Sequence, residues 1–403
     1  MLPANRDLMR AINRFNILHS IRINGLISRV DIAKIIGLSQ ATVTGITAEL
    51  IKEDLLIEKK TGRSKGGRRP VLLSLNPGGA YTVGVHISYD KICVVVSNLQ
   101  ASIIGSYTIE LNKKDCSPET ISDELIEAVK TCLWRIDFSK NKISGIGIAL
   151  PGLVDSRSGM VHFLPNFLWK NIHFSKIVQR KIGIPTYIEN SANTLTIFEQ
   201  WFGVGRGENN FILITLEHGI GMGIVTNGQL IRGNTGIAGE LGHTIAETNG
   251  PLCRCGQKGC LEAICGNRAI LRDAKAAALK KLWSPPDPDK IRIEDVIKLA
   301  QEGETCLNNI YEKVGSVIGD TILNLQKLFD PKKIIFAGKG CLAGDLIYHS
   351  LQKRFFDGIS FGTETSAPIT ILDWEKTDYA KGAAAFVLQE IYKSPANKVI
   401  PTI

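Results

Sequence analysis

No stretch of this sequence stays apolar for the roughly 20 residues that a membrane-spanning helix needs. Its opening, MLPANRDLMRAINRFN, carries charge where a secretory leader requires an uninterrupted apolar core. A cytoplasmic protein without membrane association is therefore expected. Low-complexity tracts are lacking too. Cysteine is present but unpaired in pattern: nine residues, an odd number and mostly scattered, which fits a reducing compartment rather than a disulfide framework. With 44% hydrophobic and 22% charged residues, the composition is not that of a disordered chain, and 403 residues suffice for two or three domains.

Acid is scarce in one place only. Residues 1–75 hold 13 Lys and Arg against 6 Asp and Glu, whereas the remainder holds 35 against 33. The excess of a chain with formal charge +9 thus sits in its first fifth, which suits a polyanion such as nucleic acid. A solvated basic face is the plain alternative. The pattern of these residues favours DNA. Leu8, Ile12, Phe15, Leu18 and Ile21 recur at helical spacing, and the Asn24-Gly25-Leu26 stretch breaks the run. Ser28 with Asp31 three positions on resembles a capping box, Gly37 stops a short helix, and Ser39 caps the next, whose Val43, Ile46 and Leu50 share one face. Two short helices around a tight turn form a helix-turn-helix. Ser39, Gln40, Thr42 and Thr44 open its second helix with the short polar groups that read bases and phosphates in a major groove. Two apolar strands then flank a loop with Lys59, Lys60, Arg63, Lys65, Arg68 and Arg69, read as a wing whose GGRRP tip suits a minor groove.

After the linker NPGGA (76–80), short β-branched runs alternate with helical stretches near 119–135, 173–182, 267–282 and 306–329, and the sequence DYAKGAAAFVLQEIY closes as a helix. That alternation, made twice, predicts two α/β lobes. Within the second, His243, Cys253, Cys255 and Cys260 are spaced H-x9-C-x-C-x4-C. Four such ligands make a closed tetrahedral zinc complement without room for a catalytic water, so the metal is structural. Cys265 is a possible substitute ligand with less favourable spacing, and a reduced cysteine-rich loop is the alternative.

GLSQATV, GGRRP, ALPGLVD, PNFLWKN, IENSAN, GIGMGIV, GIAGELGH and CRCGQKGCLE occur in an order that resembles the ROK family (repressors, open reading frames and sugar kinases), in its NagC/XylR-type transcriptional regulator branch. The resemblance implies an α/β chain: an N-terminal winged helix-turn-helix (1–75) followed by a two-lobed actin-like ATPase/sugar-kinase (ROK) fold. Its lobes would cover 76–195 and 196–403, with the last helix packing back on the first. It also implies a sugar or sugar-phosphate effector between the lobes, bound by Asn166, Asn190, Glu240, His243 and Glu262 beside the zinc. His243 would bind the metal through one ring nitrogen and face the sugar with the other.

A kinase of this family needs an Asp after the Asn of the ENSAN segment to take the proton of the attacking hydroxyl. Ser191 stands there. The family's Asp-x-Gly-Gly-Thr phosphate loop corresponds to HISYD (86–90), with Ser88 and Tyr89 for the glycines and Asp90 adding negative charge. Glu189 could replace one lost function, but two independent losses predict a non-enzyme. The expected partners are operator DNA, a second copy or a tetramer, and a sugar; a sugar kinase that also binds DNA, or a regulator controlled by a sugar-transport protein, are the alternatives.

Overall fold

Two serines frame the N-terminal head. Helix α1 (Arg6–Asn24) leads into strand β1 (Ile27–Ser28), where the Ser28 hydroxyl accepts from the Asp31 N–H and starts α2 (Arg29–Ile36). Gly37 closes α2 at φ 67°, a left-handed conformation that suits a residue without Cβ. Ser39 repeats the cap on the Thr42 N–H to start α3 (Gln40–Lys52). Each cap contributes about 1 kcal/mol. Strands β2 (Leu56–Lys59) and β3 (Leu72–Leu75) pair antiparallel, and β3 also pairs with β1, so the order is β1-β3-β2. Ile21, Ile32, Val43, Leu50 and Leu73 are buried at its centre. Of the face foreseen on α1, Leu18 and Ile21 are buried, but Leu8, Ile12 and Phe15 are only half-buried. The helix is covered mainly along its second half.

A computed structural model describes residues 6–59, 70–112, 115–283, 287, 290–358 and 366–392. Lys60, Arg63, Lys65, Arg68 and Arg69 of the expected wing lie outside the described residues. The chain divides into two compact units, residues 1–207 with 377–403, and residues 208–376.

In the first unit, β4 (Tyr81–Ile87), β5 (Lys91–Asn98) and β6 (Ile103–Glu110) form a meander. Helix α4 (Pro118–Arg135) crosses to β7 (Ile143–Leu150), and α5 (Phe174–Ile182) leads to β11 (Thr186–Asn190). Their sheet runs β11-β7-β4-β5-β6, with β7 parallel to both neighbours. A smaller sheet of β8 (Leu153–Asp155), β9 (Met160–Leu164) and β10 (Trp169–Ile172) follows β7. Helix α6 (Ser191–Trp201) continues directly from β11. The unit therefore extends past the residue-195 boundary expected from sequence and keeps α6 whole.

The second unit has β12 (Phe211–Leu216), β13 (Ile220–Thr226) and β14 (Gln229–Leu230), then α7 (Leu261–Cys265), α8 (Asn267–Leu279), α9 (Ile293–Gln301) and α10 (Thr305–Phe329). Strand β15 (Lys333–Ala337), α11 (Asp345–Asp357) and β16 (Ile369–Ile371) complete the order β14-β13-β12-β15-β16. Helix α12 (Asp378–Tyr392) belongs to the first unit, against β4 and β7. There Gly84 and Gly147 leave no room for a Cβ: it would meet the α12 backbone at Ala380 and Ala383. Small residues on both sides thus let helix and sheet touch along their main chains. Among the described residues, no helix is long and apolar enough to cross a membrane.

Candidate functional site

Residues 240–262 are almost free of regular structure. A 3-10 turn (Leu241–His243) and two single bridges, Ile245 with Cys260 and Leu252 with Lys258, hold them. Within this loop His243, Cys253, Cys255 and Cys260 bring their ligand atoms within 4.8 Å of one another. Cys253 Sγ lies 3.5 Å from His243 Nδ1, and Cys255 Sγ lies 3.6 Å from Cys260 Sγ. Zinc bonds of about 2.3 Å to sulfur and about 2.0 Å to nitrogen give tetrahedron edges of roughly 3.5–3.8 Å. Two edges therefore already fit. Burial pushes the Cys253 thiol up and the Cys260 thiol up to about 12. In Cys255 the same burial is outweighed by hydrogen bonds from the Gln257 backbone and the neighbouring thiols, which lower its pKa. The four groups could hold a metal: a divalent cation of borderline softness would favour the thiolate forms, and three sulfurs with one imidazole are donors suited to it. Cys265 is excluded from the set: buried on α7, its thiol faces the Val314 carbonyl at 3.8 Å.

The turns that fold this loop leave one position no freedom. Gly259 has φ 77°, and a Cβ there would run into the Glu247 carbonyl. We expect Gly259→Ala to add about 1–2 kcal/mol of left-handed strain to that collision. Metal content after dialysis and the unfolding midpoint should both fall; an unchanged midpoint with full metal content would show that the loop relaxes freely.

Around the cluster, His243 turns Nδ1 toward the sulfurs and Nε2 toward Glu240, whose Oε2 is 3.9 Å away. Burial raises the Glu240 pKa and Glu262 adds to the rise, against His243 and Arg254. Glu262 is 7% exposed and is held by Arg254 through two contacts, Nε to Oε1 at 2.6 Å and a second guanidinium nitrogen donating to Oε2 at 2.9 Å. Part of its acceptor capacity is thereby taken. Sequence reading did not single out Arg254, although it is the one cation between the cysteines of the C-x-C segment.

The other expected site residues lie in the first unit. Asn166 is half-buried in the turn between β9 and β10. Beside it Trp169 is a packing residue, its ring tilted against Phe174 with centroids 4.8 Å apart and its indole N–H donating to the Cys116 carbonyl. Asn190 caps α6: its Oδ1 accepts from the Ala192 and Asn193 amides, and its Nδ2 donates to the Gly152 carbonyl. Glu189 is buried and accepts from the Asn190 N–H and from Asn193 Nδ2. Ser191 Oγ and Asn193 Oδ1, both buried, have no hydrogen-bond partner among the described residues.

Residues 86–90 form a closed turn. The Ser88 amide donates to the Lys91 carbonyl, and the Lys91 amide to Ser88 Oγ. The Ser88 amide is therefore spent inside the turn. His86 packs against the Tyr379 ring in a tilted arrangement with centroids 4.6 Å apart, and desolvation, opposed by Asp90, takes its pKa to about 4.

On the head, Ser39, Gln40 and Thr44 are exposed and Thr42 is half-buried. Ser39 and Thr42 share a hydroxyl contact at 2.9 Å, while Thr44 donates to the Gln40 carbonyl. Ala41, Gly45 and Ala48 are exposed on the same helix, and a Cβ at Gly45 would meet nothing. Their smallness, not noticed in the sequence, lets another surface approach the helix backbone.

Residues 82–390 match the sequence profile of the ROK family. The chain belongs to the ROK family. It is 33% identical over 353 residues to a xylose repressor of Caldicellulosiruptor bescii, covering 87% of this chain and 88% of that one. With the DNA-binding transcriptional dual regulator NagC of Escherichia coli it shares 28% over 384 residues, covering 95% and 93%. Among solved structures, a ROK family transcriptional regulator described as a homologue of the E. coli MLC protein superposes with a TM-score of 0.82 at 26% identity, over 96% of this chain and 97% of its own. A ROK glucokinase from Streptomyces griseus, solved with glucose and AMPPNP, covers 76% of this chain and 99% of its own, at 28% identity and a TM-score of 0.68. The actin-like ROK fold is thus common to regulators and kinases.

Proposed function

We propose that this ROK protein is a sugar-responsive, DNA-binding transcriptional repressor of carbohydrate-utilisation genes. One observation carries the reading: the ROK regulator spans 96% of the chain, whereas the glucokinase leaves about a quarter without counterpart. The ROK match begins at residue 82, after a head with two capped helices, an exposed α3 face and a three-stranded sheet. In this reading Ser39, Gln40, Thr42 and Thr44 meet DNA in the major groove, and Lys65, Arg68 and Arg69 reach it from the wing. Asn166 and Asn190 of the first unit and Glu240, His243 and Glu262 of the second recognise a sugar or sugar phosphate. Zinc on His243, Cys253, Cys255 and Cys260 has a structural part, orienting the loop that carries the last three. Ser191 cannot act as a carboxylate base, and the turn at 86–90 is closed on itself, so sugar phosphorylation is not its role. A cytoplasmic homodimer or homotetramer on a near-palindromic operator follows from such a task.

The test is fluorescence-anisotropy titration of DNA from upstream of its own and neighbouring genes, at two salt concentrations, against a panel of sugars and their phosphates. Specific, salt-sensitive binding weakened by one sugar is expected, with no ATP consumption on any. Specific binding indifferent to every sugar would overturn the sensor reading in favour of a protein effector. Sugar-dependent ADP formation would restore the kinase.

A further inference from the structure

One joint in the first unit ties the head to the lobe by an unusual contact. Arg22, in the last turn of α1, is 7% exposed, and its guanidinium lies 4.3 Å from the centroid of the Trp201 ring. It donates to the Trp201 carbonyl and contacts His19 Nδ1 at 3.2 Å. Among the described residues no carboxylate pairs with it, and its Nε has no hydrogen-bond partner. A buried cation without a counter-ion tolerates little displacement, because any movement away from these partners leaves charge unsolvated. Arg206 grips the same turn from the other side, donating to the carbonyls of Arg22 and Ile23. Tyr392 of α12 backs Trp201 at 5.5 Å.

What lies at the two ends of this joint gives it meaning. Trp201 is the last residue of α6, and α6 begins at the Asn190 cap. Nine of its eleven residues are buried, so it is held as a rod about 16 Å long. At its first turn, Ser191 Oγ and Asn193 Oδ1 are buried without hydrogen-bond partners among the described residues, an unfavourable condition for a polar group. A hydroxyl-bearing ligand or a small shift of the turn would relieve it. At the far end, two ion pairs tie α1 to α3 and to its C-cap residue, Arg10 with Glu49 and Arg14 with Glu53. Thus a continuous line of contacts runs from the Asn190 turn along α6 to Trp201, Arg22, α1 and α3.

We propose that α6 is the coupling element of this chain: a change at its Asn190–Asn193 turn is carried to Trp201 and, through the grip on Arg22, resets the attachment of α1 and of the α3 that α1 carries. Arg22, Trp201 and Arg206 are then positioning residues that touch neither sugar nor DNA. The inference rests on the sensor reading for what moves the turn, but not for the mechanical link itself.

Hydrogen exchange on the full chain tests the link, with Arg22→Ala, Arg22→Lys and Arg206→Ala beside the parent. Arg22→Ala should raise amide exchange at least about tenfold both in the last turn of α1 and at residues 192–195, with α2 and α3 unchanged and the conservative Arg22→Lys intermediate. Arg206→Ala should do the same more weakly, which guards against a variant that merely fails to fold. Parent-like exchange at 192–195 in both alanine variants overturns the proposal whether or not the chain binds DNA. Anisotropy on the operator, with D-xylose, N-acetylglucosamine and their phosphates as probes, adds the functional arm. Affinity for an isolated half-site should be kept in Arg22→Ala, while the ratio of operator affinities without and with the active sugar falls toward one. An unchanged ratio overturns the coupling. If the parent binds no operator at all, the sensor reading fails while the exchange result still decides the link.

Discussion

A chain carrying Cys260→Ser is expected to retain almost no zinc and to lose its response to sugar, while its head still binds a DNA half-site. Cys260 is wholly buried, pairs across a single bridge with Ile245 and immediately precedes α7, the helix that carries Glu262. Backbone hydrogen bonds already cross the loop, among them Ala246 N–H to the Gly259 carbonyl, Cys253 N–H to the Gln257 carbonyl and Leu261 N–H to the Thr244 carbonyl, and a zinc on His243 and the three cysteines would add a crosslink between their side chains. Structural zinc contributes about 10–16 kcal/mol of apparent binding energy in small zinc modules. Even a fraction of that, on top of the loop's backbone hydrogen bonds, is a large contribution for one loop. Denaturant unfolding should therefore show the second unit weakened by on the order of several kcal/mol, and metal analysis should fall from one equivalent to near zero. Stripping zinc from the parent chain with a chelator should reproduce both effects. If the verified metal-free protein kept its full sugar response, the loop would have to be ordered by its backbone alone, and the metal would be irrelevant to sensing.

The second large effect belongs to the wing. Replacing Arg68 and Arg69 together by alanine should flatten the dependence of log affinity on log salt by about 1.8, since each duplex phosphate left without its arginine takes about 0.9 from the slope. Operator affinity near physiological salt should drop roughly tenfold to a hundredfold, across all sequences alike. Gln40→Ala, by contrast, removes a group on the exposed first turn of α3 and should cost about 1–3 kcal/mol of discrimination at one base position with no change in slope. The two variants separate attraction from reading. An unaltered slope in the double arginine variant would place the wing off the DNA and leave the charge excess of the first fifth to some other polyanion.

The parts of this molecule that were legible in its sequence are those whose signals are local. Ser28 and Ser39 each sit three residues before the amide they accept from, so the caps of α2 and α3 could be read directly. The ligand spacing around Cys253 is local in the same way. By contrast α9 (Ile293–Gln301) follows Arg292, an uncommon N-cap, although Glu294 and Asp295 in its first turn are a local start signal that was overlooked, and α11 begins after Gly344 with no side-chain cap. Both escaped notice, α11 for want of a side-chain cap. Contacts distant in sequence were equally silent. Nothing about Arg22 points to Trp201, 179 positions away. The role of Asn190 was half-visible: its place in a family motif suggested ligand contact, while its place between a strand and a helix makes it a cap. Its amide already serves the fold on both sides, which sets how much of it a sugar can use.

The return of α12 to the first unit bears on how the protein is made. The ribosome delivers β4 and β7, then the entire second unit, and only afterwards the helix whose alanines fit against Gly84 and Gly147. Until that moment one face of a Val- and Ile-rich sheet stands uncovered, and Trp201 lacks the ring of Tyr392 behind it. The first unit is therefore the last to be finished, although it is the first to be translated. A nascent chain of this design has its head complete early but its seat for that head incomplete, and the segment most in need of chaperone shelter is the sheet that waits for its own C-terminal helix.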